Sequence, residues 1–323
     1  MTATAIEKPR RASMDLRRQV GRFGLPLLVA LIAGVTGLIE PRFWSASNLQ
    51  NLARQLAPLQ ILVVGQTLAI LCGGIDLSVA SVLALSGVLG TLSIPHVGLL
   101  GGVCVMLTTG LVFGFLNGSI IVGFGVSPLI VTLGMLSVAK GMALLLTGGL
   151  PLYAVPESLV NVVGFGALGG VPTSSLLAFA IMVIGAVMLR GTVFGRHVYA
   201  VGSNAIAARN SGVRVPRVML GVYVLSGLTA GIGAIVMTAY VSAAQPLAGE
   251  GLELQSLASV VVGGVALAGG SGTMLQSFLG MLVLGLLANA LNMAGVSSFL
   301  QTLVVGVVIL LAVIVDRWRG HKI

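Results

Sequence analysis

An interruption in a long apolar stretch constrains this chain more than any other feature. Residues 71–81 read LCGGIDLSVAS, with an apolar run before them and another after them. Gly73 and Gly74 can end a helix, since glycine adopts the left-handed conformation without penalty. Asp76 or Ser78 can then cap the next helix by accepting backbone N–H groups. At membrane depth such a break is tolerated only where protein or a cavity covers it, and transport sites are often built around it.

The composition places this break inside a membrane protein. Of 323 residues, 57% are hydrophobic and only 8% are charged, and the mean hydropathy is +1.10. Soluble domains carry about 25% charged residues. The apolar segments are long, which favours an all-α polytopic protein over a β-barrel with short alternating strands. We predict about ten transmembrane helices, several of them short or broken, near residues 24–39, 53–72, 77–92, 98–123, 126–147, 173–190, 217–242, 255–270, 273–293 and 297–315.

The net charge of +9 comes from basic residues grouped between the apolar segments. Cytoplasmic loops of membrane proteins carry an excess of Lys and Arg, so the grouping indicates orientation and not nucleic-acid binding. We predict one membrane domain over residues 23–316 between cytosolic tails 1–22 and 317–323. The loop 191–216 then lies in the cytosol, and residues 148–172 and 243–254 lie outside.

Matching motifs in the two halves of the chain predict an internal repeat, and chance similarity between apolar sequences is the alternative. The run GVSP at 125–128 is followed by Thr-Leu at the same offset as the run GVSS at 295–298. Each half also has a Gly-Gly pair, at 73–74 and at 263–264. Under the predicted orientation, residues 53–147 and 217–315 form two inverted four-helix repeats, an arrangement in which solute sites lie near the repeat interface.

Polar side chains within apolar segments are the candidates for a solute pathway. Each of them can instead hold helices together, and Asp76 can serve only as a helix cap. Lys140 lies toward the outer end of its helix, where it either snorkels to the interface or faces the pathway or a carboxylate. The candidate pathway residues are Gln66, Asp76, Asn117, Thr132, Asn289, Asn292 and Gln301.

The two cysteines and three histidines are scattered along the chain. We therefore predict neither a catalytic nor a metal site, and we expect Cys72 and Cys104 to be small buried residues.

The longest basic loop contains a short predicted helix. Ser203 or Asn204 is a suitable N-cap, the residues after it are strong helix formers, and Gly212 is a suitable stop. The predicted helix spans residues 204–211 and has no core of its own. We therefore expect it to pack on another protein.

Several motifs together resemble one known family. They are GQTL at 65–68, GGIDLSV at 73–79, YAVG at 199–202, AARNSG at 207–212, GEGLEL at 249–254 and GGSG at 269–272. The chain resembles permease subunits of bacterial ribose-type sugar ABC importers, within the branched-chain amino acid/ribose permease superfamily. It departs from the family pattern at Ala205-Ile206 and Gln255, where an acidic residue is usual, and at Leu252, where an aromatic residue is usual.

The resemblance implies a non-catalytic membrane subunit that translocates a monosaccharide-like solute across the bacterial inner membrane. No phosphate-binding loop motif occurs in the chain, so no cofactor is expected in it and ATP would be bound by a partner ATPase. Other implied partners are a periplasmic sugar-binding protein, a second permease copy or a homologous permease, and membrane lipid, but no nucleic acid. The resemblance assigns ATPase coupling to Gly202, Asn204, Ile206, Ala207, Ala208, Arg209 and Gly212.

An ion-coupled secondary transporter of a small polar solute is the alternative function. Proton coupling usually uses carboxylates or histidines within the membrane, and Asp76 is the residue that qualifies.

Overall fold

The computed structural model describes residues 10–297, 299–300, 303–304, 306–308, 310–311 and 314, with the backbone alone for residues 10–23. Most of these residues are helical, and six helices are long and apolar enough to cross a membrane. A predominantly helical chain with several membrane-length helices is therefore confirmed. The helices are α1 Arg10–Ile39, α2 Ala46–Leu71, α3 Val79–Phe124, α4 Pro128–Thr147, α5 Glu157–Leu159, α6 Thr173–Gly191, α7 Val193–Ser203, α8 Ala205–Asn210, α9 Val215–Val241, α10 Leu252–Val262 and α11 Met274–Met293.

Short elements complete the connections between these helices. A 3-10 turn, Pro41–Trp44, joins α1 to α2, and a π-helical turn, Val160–Gly164, follows α5. The strands β1 Ala167–Leu168 and β2 Val171–Pro172 pair as an antiparallel hairpin before α6. Residues 148–172 thus contain no membrane-length helix, in agreement with their prediction as a loop.

Helix α3 is a hairpin of two arms that correspond to the predicted helices 77–92 and 98–123. The backbone is non-helical at Gly98, with φ 73° and ψ 176°. The two arms pack against each other in opposite directions. Gly90 and Gly102, on either side of this bend, lie so close that a Cβ on Gly90 would be 2.8 Å from the carbonyl oxygen of Gly102. Near the open end, Asn117 Nδ2 donates to Ser78 Oγ at 2.8 Å. We call residues 79–97 the first arm and residues 99–124 the second arm.

The predicted helix 255–270 is wrong in extent. Helix α10 has 11 residues and ends at Val262, so it is about 16 Å long and covers roughly half of a 30 Å hydrocarbon core. Residues 263–273 are apolar but not helical. The two Gly-Gly pairs also follow different elements, α2 and α10, which do not correspond in the predicted repeat.

Residues 242–251, here called the re-entrant loop, turn back along the first arm of α3. Two contacts with the first arm show this reversal. Near the end of α9, Thr238 packs beside Gly87, since a Cβ on Gly87 would lie 2.8 Å from Thr238 Oγ1. In the re-entrant loop, Gly249 packs on the backbone of Ala80, which is seven residues before Gly87 and thus about 10 Å closer to the start of α3. Helix α10 therefore begins inside the bundle. This was not predicted.

Helix α9 is central and packs on both α2 and α3. Glycines make its contact with the second arm of α3 close: a Cβ on Gly227 would lie 2.1 Å from the carbonyl oxygen of Gly110. Small residues of this kind allow helix backbones to approach each other in membranes.

One further prediction differs from the structure: Cys104 is exposed on the second arm of α3, whereas Cys72 is buried as expected. Helix α1 begins at Arg10, before the apolar run that was predicted as the first transmembrane helix.

Candidate functional site

The predicted break follows α2 directly. Cys72 caps α2, and Gly73 has φ 87°, a left-handed conformation that favours glycine. The N–H groups of Gly73 and Gly74 donate to the carbonyls of Ile70 and Ala69, both at 2.9 Å. These bonds close the last turn of α2 and release the chain before α3 begins at Val79.

Asp76 lies in this break with 1% of its surface exposed. Its Oδ1 accepts hydrogen bonds from the Ser78 backbone N–H at 3.0 Å and from Ser78 Oγ at 2.7 Å. Its Oδ2 accepts from Ser226 Oγ of α9 at 2.7 Å. The prediction that Asp76 accepts a backbone N–H at the start of α3 is confirmed. Ser78, the other predicted alternative, is the N-cap residue of α3 but makes no side-chain capping bond.

Two more predicted residues join Asp76 from other helices. Asn117 binds Ser78 Oγ, as described above, from the second arm of α3. The Thr132 hydroxyl of α4 can donate to the carbonyl oxygen of Pro128, at 2.9 Å, or to that of Ile75 in the break, at 3.2 Å. We call this set the buried junction: Asp76, Ser78, Asn117, Thr132 and Ser226.

Ser226 was missed by the sequence reasoning. It lies 150 residues from Asp76, and a serine within an apolar helix carries no local signal of its partner.

Gln66 is fully buried beside the buried junction but is not bonded to it. The neighbouring Gly65 packs on the backbone of Ser226, since a Cβ there would lie 2.9 Å from the Ser226 Cα. Among the described residues, neither polar atom of the Gln66 side chain has a hydrogen-bond partner. Its role in a solute pathway stays a prediction.

Two of the three remaining pathway candidates, Asn289 and Asn292, do not meet the buried junction. Asn289 of α11 exchanges hydrogen bonds with Asn48 of α2, at 3.2 and 3.3 Å, an arrangement that holds two helices together. Asn292 is exposed near the end of α11. Gln301 lies outside the described residues.

The short helix predicted over residues 204–211 is present as α8, Ala205–Asn210. Asn204 Oδ1 accepts the Ala207 N–H at 2.9 Å and caps the helix. Gly212, with φ 85°, follows its end. Ile206 is 75% exposed, but Ala208 is buried in the chain's own core. The expectation that α8 has no core of its own is therefore wrong for Ala208, which anchors the helix and leaves Ile206 outward.

Helix α7 connects α8 to the membrane bundle. A Cβ on Gly202 would lie 1.9 Å from the carbonyl oxygen of Leu71, the last residue of α2. The Gly270 N–H also donates to that oxygen at 3.0 Å. Tyr199 Oη donates to the Gly272 carbonyl at 2.9 Å. Burial raises the pKa of Tyr199, an effect that the charge of Arg190 partly offsets, so the phenol keeps its proton as a donor at neutral pH.

Lys140 faces a carboxylate, one of its predicted alternatives. Its Nζ lies 2.9 Å from Glu250 Oε1 in the re-entrant loop. Glu250 was not predicted as a site residue, because it lies 110 residues from Lys140 in a stretch predicted as an external loop.

Residues 48–313 match a family described as branched-chain amino acid transport system / permease component. The chain is 38% identical over 305 residues to the ribose import permease protein of Escherichia coli strain K12, covering 93% of this chain and 94% of that protein.

Two other relatives align with the chain over 303 and 256 residues. The ribose import permease protein of Bacillus subtilis is 38% identical over 303 residues, covering 93% of both chains. The D-allose transport system permease protein of Escherichia coli is 32% identical over 256 residues, covering 77% of both. No solved structure matches the chain.

Proposed function

The chain belongs to the family of branched-chain amino acid transport system permease components, and we propose that it is the membrane permease subunit of a ribose-type sugar ABC importer. The relatives named for ribose import align over more than nine tenths of their length. The subunit is a non-catalytic, multi-pass protein of the bacterial inner membrane. Its solute is a monosaccharide of the ribose class.

The membrane domain has ten transmembrane segments in this proposal. Five are α2, α4, α6, α9 and α11, and two are the arms of α3. The apolar part of α1 and the half-length α10 supply two more. The helical residues described between 299 and 314 supply the tenth. The positions of the basic residues support cytosolic termini. Under that orientation, the matching motifs at 125–128 and 295–298 support two inverted repeats.

A separate ATPase drives the transport cycle through α7 and α8. The observation that carries this proposal is the outward position of Ile206 on a helix whose other side, at Ala208, is anchored in the core. An exposed apolar side chain on a capped helix is suited to insert into a partner surface. A periplasmic binding protein delivers the sugar, and a second permease copy or a homologous permease completes the pathway.

Substitution of Ile206 tests the proposal. Ile206→Asp would bury an unpaired charge at the ATPase contact, which costs several kcal/mol if the contact excludes water. We expect the Ile206→Asp protein to reach the membrane at normal levels but to lose D-ribose uptake and co-purification with the ATPase. Ile206→Leu, the matched control, should retain both. Wild-type uptake by the Ile206→Asp protein would contradict the coupling role and favour an ion-coupled transporter.

A further inference from the structure

A pair of accessible charges lies within the length of an apolar helix. Lys140 is seven residues before the end of α4, about 10 Å along the helix axis. The Lys140 and Glu250 side chains form an ion pair, yet 37% and 61% of their surfaces remain exposed. Charged groups within membrane helices rarely face lipid and instead face a bundle interior or a water-filled cavity. This face of the chain is therefore not a lipid-facing surface.

The ion pair borders a small cleft formed by four elements. The first arm of α3 contributes Ala80, Ser81 and Ala84, α4 contributes Leu136 and Lys140, and the re-entrant loop and α10 contribute Glu250 and Glu253. The cleft is thus lined by two carboxylates, one ammonium group, one hydroxyl and apolar surface.

The start of α10 lies in the same cleft. The preceding residue, Gly251, has φ 88°, and its N–H donates to Glu253 Oε1 at 3.3 Å. In other membrane transporters, solute sites are formed where discontinuous helices begin within the membrane. Helix α10 has this character because the re-entrant loop brings its first turn back along α3.

We propose that this cleft is a solute-contact site in the translocation pathway, at which Lys140 and Glu250 bind the hydroxyl groups of the passing sugar. A carboxylate accepts hydrogen bonds from sugar hydroxyls, an ammonium group donates to their oxygens, and the Ser81 hydroxyl does either. A neutral polyol can satisfy these groups without adding charge. The inference rests on the proposed sugar import, and it adds a site outside the buried junction.

Thiol labelling tests whether the cleft is wet. Ser81→Cys and Val138→Cys are each made in a chain with serine at positions 72 and 104, and the importer is assembled with its ATPase in proteoliposomes. Val138 is the control because it is exposed on α4, away from the cleft residues. A charged, membrane-impermeant thiol reagent needs a hydrated thiolate, so Ser81→Cys should react at least about tenfold faster than Val138→Cys. D-ribose delivered by its binding protein should slow the Ser81→Cys reaction.

Transport kinetics test the contact itself. Glu250→Gln should raise the KM for D-ribose uptake several-fold, because the neutral amide is a weaker acceptor for hydroxyl groups. Glu157→Gln, an exposed glutamate in the 148–172 loop, should leave KM unchanged. The full chain and the assembled importer are used throughout.

Two outcomes would overturn the proposal while the wild-type importer still takes up D-ribose. An unreactive Ser81→Cys protein would mean that the cleft is a dry contact between permease copies. A reactive Ser81→Cys protein without D-ribose protection, together with an unchanged KM in Glu250→Gln, would mean a hydrated vestibule that the solute does not touch. Loss of D-ribose uptake by the wild-type importer would instead count against the proposed function.

Discussion

Replacing Asp76 by Leu should destabilise the membrane domain, because the carboxylate satisfies three donors in a site with 1% exposure. A buried donor without a partner costs about 1–3 kcal/mol. The Ser78 backbone N–H cannot turn to another acceptor, whereas the hydroxyls of Ser78 and Ser226 can rotate. One full penalty and two partial ones give a loss of about 2–5 kcal/mol in the free energy of unfolding.

Asp76→Asn separates hydrogen bonding from charge. The amide oxygen still accepts from Ser78, and the amide nitrogen can donate to Ser226 Oγ, which then acts as an acceptor. The loss should be about 1 kcal/mol, since the bonds to a neutral acceptor are weaker. Ser226→Ala is the matched control: it removes one donor and leaves Ser78 bonded, so we expect a loss of similar size.

The relative stability of these variants is measured by thermal unfolding of the purified importer in detergent. The readout is the fraction of protein that remains monodisperse at each temperature. We expect Asp76→Leu to unfold at a clearly lower temperature than Asp76→Asn and Ser226→Ala, with D-ribose uptake retained by the latter two. Two results would refute the reasoning. Equal stability of Asp76→Leu and wild type would mean that these bonds contribute nothing. Normal membrane levels with uptake abolished in both Asp76 variants would mean that the charge itself is required.

Cysteine at Ser203 should be protected from an impermeant thiol reagent on intact spheroplasts, and cysteine at Ser158 should react; the reverse pattern would invert the orientation. Gly227→Leu should sharply reduce the yield of folded protein, because its Cβ would lie 2.1 Å from the Gly110 carbonyl oxygen. Gly141→Leu is the control, since a Cβ at Gly141 meets no atom within 4 Å. Equal yields of these two variants, measured by fluorescence-detected gel filtration, would contradict the packing argument.

Local signals made the helix break and the short helix α8 predictable from the sequence. Gly73 has a positive φ, a conformation that favours glycine because glycine has no Cβ, so the residue type itself indicates the break. Asn204 and Gly212 bracket α8 because capping and left-handed residues act within a few positions of a helix end. Helix breaks and helix caps depend on residues that are close in the chain, so the local sequence is sufficient to predict them.

Features set by distant residues were not predictable in the same way. Apolar composition alone suggested a full helix over 255–270, but residues 263–273 are not helical, and hydropathy does not distinguish an apolar loop from an apolar helix. Asn117 and Asn289 look alike in sequence, as polar residues in apolar helices. One reaches the buried junction and the other pairs with Asn48, because only tertiary packing decides which face each presents.

The end of α2 connects the proposed coupling surface to the buried junction. The Leu71 carbonyl is contacted by Gly202 at the end of α7 and by the Gly270 N–H of the loop after α10. Five residues later, Asp76 joins α3 and α9. A displacement of α7 would therefore move it against the backbone of α2. A change of side-chain rotamer cannot relieve a contact between backbone atoms. Because packed interiors move between discrete arrangements and do not deform continuously, motion at α8 would shift α2 and the start of α3 together. The same first arm of α3 carries Ser81 in the cleft beside Lys140, so a shift of this arm would change the proposed solute-contact site.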